Sequence, residues 1–67
     1  MIEIKDITTM TDLEIDETMK NLSFHELINY TAFYNITYKK NMTITTLRTH
    51  LTHELKQIAL FNRMSKQ

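Results

Sequence analysis

The chain has 67 residues, 42% of them hydrophobic, with no cysteine, glycine or proline and a formal net charge of zero. That length allows one small core and excludes a second domain, and without cysteine neither a disulfide nor a thiolate metal centre can support it. Zero net charge argues against the basic balance of a dedicated nucleic-acid binder.

Turns that need a positive φ must use Asn or Asp here, because glycine is missing. This favours helices joined by Asn-rich connections over a small β-barrel. The richness in Ile, Asn, Lys and Thr fits an AT-rich coding sequence, such as that of a phage or virus of an AT-rich host. Charge is unevenly spread. Residues 1–33 hold seven acids against Lys5 and Lys20, and residues 34–67 hold six bases against Glu54, so the halves carry −5 and +5. Such halves can pair inside one molecule or head to tail between copies.

Residues 1–10 read as an extended arm. Ile2 and Ile4 alternate with charged residues and are followed by Ile7 and Met10. A lone strand would have no partner within the chain. Thr11 then opens a helix expected over 12–20, with Glu14 completing a capping box and Asp12, Asp16 and Glu17 near its positive end. Ser23 opens a second over 24–34, with Glu26 as the reciprocal partner. Phe24, Leu27, Ile28, Thr31 and Tyr34 follow the spacing of a buried face, and Phe33 is also expected in the core. Asn35 suits the left-handed residue that ends this helix. Residues 35–41 form a polar loop with Lys39 and Lys40 exposed. Thr43 caps a third helix over 44–64, whose stripe is Ile44, Leu47, Leu51, Leu55 and Ile58. At 1.5 Å per residue that helix is roughly 30 Å long, more than the second helix can cover. Its last two turns must therefore meet the arm, the first helix or another subunit.

The expected fold is thus all-α: a single domain over 1–67 with three helices, a helix–extended loop–helix core and an extended N-terminal arm. No stretch approaches the roughly 20 apolar residues of a membrane span. The start lacks the basic and apolar regions of a secretion signal, so a cytoplasmic protein is expected, in the host cytoplasm if viral. Asn-x-Ser/Thr triplets at Asn21, Asn29, Asn35 and Asn41 then follow from composition.

Leu22-Ser23-x-x-Glu26-Leu27, Tyr34-Asn35-Ile36 and Met42-Thr43-x-x-x-Leu47-x-x-x-Leu51 make a pattern over residues 22–55. It resembles the helix–extended loop–helix group of SAP domains, LEM domains and the N-terminal domain of transcription terminator Rho. Asn35 departs from the glycine usual in that group, and Thr45 and Thr46 stand near where a base commonly follows the cap. The resemblance implies binding of DNA, RNA or protein; a shared fold does not choose among them.

Two sites compete. Ile58, Leu60, Phe61 and Met64 form the candidate protein interface, with self-association the simplest case. Lys39, Lys40, Thr43, Arg48 and Lys56 form the candidate nucleic-acid site, where bases stand near a helix N-terminus. Catalysis is not expected: no Gly-rich phosphate loop exists, and Ser23 is better used as a cap than as a nucleophile. Acids at Asp12, Asp16 and Glu17 suit a first helical turn without chemistry. His50, His53 and Glu54 share a helix face, but no further ligands accompany them, so neither metal nor cofactor is expected.

Overall fold

A computed structural model describes residues 4–65. It is all-helical, with a 3₁₀ turn Ile7–Thr9 followed by α1 (Asp12–Lys20), α2 (Phe24–Phe33) and α3 (Ile44–Ser65). These bounds match the expected ones within one residue at each end. The first three residues of the arm, Ile2 among them, lie outside the described residues. The rest of the arm is not wholly extended, because Ile7–Thr9 turns under the Asp6 side chain, which accepts from the Thr8 N–H.

Local hydrogen bonds set where the helices begin. Thr11 Oγ1 accepts from Glu14 N–H at 3.2 Å while Glu14 Oε1 accepts from Thr11 N–H at 2.9 Å. Ser23 and Glu26 repeat this box at 3.3 and 2.9 Å. Each box satisfies two backbone donors that a helix start leaves free. The Thr11 and Ser23 backbone bonds hold the Glu14 and Glu26 carboxyls below the usual range, with the cap hydroxyls adding to the effect. Thr43 caps α3 by accepting from Thr46 N–H at 3.2 Å, and its hydroxyl donates to Thr46 Oγ1 at 3.0 Å, a bond to the cap side chain where a carboxylate would accept from the cap N–H.

The end of α2 is equally local. Asn35 has φ 57°. Its N–H reaches Ala32 C=O at 3.4 Å, and Ile36 N–H reaches Thr31 C=O at 2.8 Å. This pair of bonds is a Schellman motif, with Asn where glycine is usual.

The core consists of Ile7, Ile15, Met19, Leu27, Tyr30, Leu47, Leu51, Leu55 and Ala59. Its common wall is α3, against which the 3₁₀ turn, α1 and α2 all pack. Two expectations are corrected. Phe24 and Phe33, expected in the core, are 39% and 65% exposed, while Tyr30 is buried. On α3 the buried stripe is Leu47, Leu51, Leu55 and Ala59, with Ile44 exposed and Ile58 half-buried. On α2, Phe33 falls within the polar arc of His25, Glu26 and Asn29, while Tyr30 adjoins Leu27 on the buried side, so aromatic character and not helical position suggested that Phe33 would be buried.

Replacing Asn35 tests the left-handed helix end. Asn35→Ala is expected to cost about 1 kcal/mol, since a Cβ without a local polar group is strained at positive φ, whereas Asn35→Gly should be neutral or stabilising. Thermal melting of the two variants orders them, and an Ala variant as stable as the Gly variant would overturn the assignment.

Candidate functional site

The four candidate interface residues lie together near the end of α3. Leu60, Phe61 and Met64 are 44%, 73% and 64% exposed. With half-buried Ile58, and with Glu54 and Gln57 alongside, they line an open, mostly apolar concavity. The stripe explains why this face is bare. A step of four residues advances about 40° beyond a full turn, so from Leu47 to Ala59 the buried direction rotates by about 120°. It swings toward the arm and α1, and the opposite side of the last turns is left uncovered.

The five candidate nucleic-acid residues are not brought together. Lys39 and Lys40 are exposed beside the Thr43 cap. Arg48 instead turns to the α1–α2 junction. Its Nε donates to Met19 C=O at 3.1 Å and its Nη2 to Leu22 C=O at 2.7 Å, which satisfies carbonyls at the end of α1. Lys56 Nζ lies 2.8 Å from Asp16 Oδ1. Arg48 and Lys56 border an open cleft between α1 and α3 together with Asp16, Lys20 and His53. Arg63 lies 3.9 Å from Asp12. The opposite charges of the two halves are therefore partly paired across α1 and α3 within one molecule.

Of the histidines, His50 Nε2–H donates to Thr37 C=O at 2.8 Å and ties the loop to α3. His53 is exposed on the neighbouring turn. No group of three His, Asp or Glu side chains among the described residues could hold a metal ion. No helix among the described residues is long and apolar enough to cross a membrane.

Sequence reasoning missed one constellation. Tyr30 and Tyr34 stack with centroids 6.2 Å apart, and their hydroxyls hold the arm by its backbone. Tyr30 Oη accepts from Lys5 N–H at 3.0 Å. Tyr34 Oη accepts from Ile7 N–H at 3.1 Å and donates to Lys5 C=O at 2.7 Å. The available signal was a pair of complementary deficits. An extended segment without a strand partner has unpaired backbone groups, and tyrosines on a buried face need polar partners.

Burial pushes Tyr34 above the ordinary tyrosine value and outweighs the Ile7 N–H bond, which favours the phenolate; Asp6 and Tyr30 add to the rise. The fold therefore prefers the neutral phenol. Its contribution to stability is complete below the unfolded value of about 10 and is lost as pH rises through the higher folded value. Urea midpoints taken across that window should fall for the wild type and fall less for Tyr34→Phe. Equal slopes would show that the phenol does not couple to folding.

The Arg48 contacts generate a second expectation. Arg48→Met keeps the apolar stem and loses both donors, so it should cost about 2 kcal/mol, the range of hydrogen bonds to a charged group. Arg48→Lys should recover only part of this, because one ammonium lacks the guanidinium fork. A urea midpoint unchanged in Arg48→Met would mean that water serves those carbonyls equally well.

No family model, curated protein or solved structure matches the chain.

Proposed function

We propose that this chain is a small non-enzymatic protein-interaction module, an adaptor or regulator that docks through the last turns of α3, in the simplest case on a second copy of itself. The observation that carries the reading is the exposure of Leu60, Phe61 and Met64 on one helix end beside half-buried Ile58. Large apolar side chains clustered on a surface favour a partner that removes them from water. Three such residues offer an area on the order of 400 Å² on each copy. A stable interface buries about 1,600 Å² in total, so this face alone supports a weak, reversible association.

A second reading follows from the helix–extended loop–helix resemblance and from the exposure of Lys39 and Lys40 beside the α3 cap. In it the loop and the helix start contact phosphates. It is the weaker reading because Arg48 and Lys56, which would extend the patch, are engaged by α1 and the α1–α2 junction. Two lysines make few phosphate contacts, and affinity of this kind needs several.

Sedimentation of the wild type against Phe61→Glu tests the preferred reading. The wild type should associate as its concentration rises, and Phe61→Glu should stay monomeric; a wild type that remains monomeric overturns self-association. Titration with a mixed-sequence duplex at about 50 mM salt tests the other. Saturable binding that fades by about 200 mM and is lost in the Lys39→Ala, Lys40→Ala double variant would favour the nucleic-acid reading.

A further inference from the structure

The turns of α3 that carry Leu60, Phe61 and Met64 also carry Ala59 and Asn62. Ala59 is fully buried and is the last buried residue of the helix. Asn62 Nδ2 donates to Thr8 C=O at 3.4 Å. A second long-range polar contact of these turns, Arg63 to Asp12, is long and exposed. Both contacts lead to residues that precede α2, so the end of α3 takes its polar support from the arm and the start of α1. The arm has its own anchors: Ile7 is fully buried, and the Tyr30 and Tyr34 hydroxyls grip the backbone at Lys5 and Ile7.

We infer that residues 4–9 are a strap that keeps the docking turns of α3 helical, so that strap docking and partner binding are one coupled equilibrium. A helix end without tertiary contacts frays. With the strap docked, Asn62 has its Thr8 partner and the Ile7–Thr9 turn packs on α3, and the last turns present Leu60, Phe61 and Met64 as a fixed face. With the strap released, the same turns lose those partners and the face loses its shape. Linkage makes the effect reciprocal: a partner that binds the ordered face also favours the docked strap. Tyr34 is the positioning residue of this device, since its one hydroxyl holds both a donor and an acceptor of the strap. The inference rests on the reading of the α3 end as a docking face, but the strap itself can be tested without any partner.

Amide hydrogen exchange of the full chain at a concentration where it is monomeric provides the test. In the wild type, the amides of Ile7 and of residues 62–65 should exchange faster than those of Leu47–Leu55 and with similar protection to one another. In Tyr34→Phe and in Asn62→Ala, Ile7 and residues 62–65 should speed up together, by about fivefold per lost hydrogen bond. Asp12→Asn should leave both unchanged. Ile7 speeding up while residues 62–65 stay at the wild-type rate would overturn the coupling. A single rate shared with Leu47–Leu55 would also overturn it, since release would then be global unfolding. Phe61→Glu should abolish association and leave Ile7 exchange as in the wild type. A wild type that never associates would defeat the docking reading while the exchange result stands by itself.

Discussion

Every other element reaches the core by packing on α3, and the shape of the molecule follows from how the apolar stripe of that helix winds. Leu47, Leu51, Leu55 and Ala59 are each four residues apart and fully buried. Strict four-residue spacing overshoots the helical repeat, so the buried direction turns steadily along the axis. One straight neighbour cannot follow it. Helices α1 and α2 and the 3₁₀ turn divide the task, and each covers the part of the stripe that faces it. The smallest member, Ala59, is the last of them and stands one turn before Asn62, which reaches the arm at Thr8.

Polar contacts then lock these pieces with little help from side-chain pairs. The connections that span the chain end largely on backbone atoms: Arg48 on Met19 and Leu22, the two tyrosines on Lys5 and Ile7, His50 on Thr37, and Asn62 on Thr8. A small domain without disulfides must satisfy irregular backbone somewhere, and here side chains of α2 and α3 do so for the segments between helices. The ion pairs Asp16–Lys56 and Asp12–Arg63 are partly solvated. Pairs of that kind contribute little stability; their consequence is to occupy bases that an anionic partner would otherwise meet.

The proposed docking face is a product of the same winding. Where the stripe has rotated toward the arm, the far side of α3 still carries Leu60, Phe61 and Met64. A helix that only needed to fold could have ended sooner or carried polar residues there. The bare face, the buried Ala59 and the strap share two turns, so the support of the helix end and the surface it offers are not independent.

The sequence by itself determined what depends on neighbours within a few residues. Thr11, Ser23 and Thr43 marked the helix starts because capping bonds close within three residues. Asn35 marked the end of α2 because, in a chain without glycine, it was the best-placed residue for a left-handed turn. The Ile58–Met64 cluster was legible because it continued an apolar run past the length that α2 could cover. Tertiary structure alone decided which sides meet. Periodicity orients a stripe only relative to its own helix, so it could not tell that the side of α2 facing α3 would centre on Leu27, Tyr30 and Thr31 rather than on Phe24 and Ile28. Nor could it tell that Arg48, formally a free base beside Leu47, would reach carbonyls at Met19 and Leu22. Those partners lie 29 and 26 residues away, and only packing α1 against α3 brings them within reach of a guanidinium.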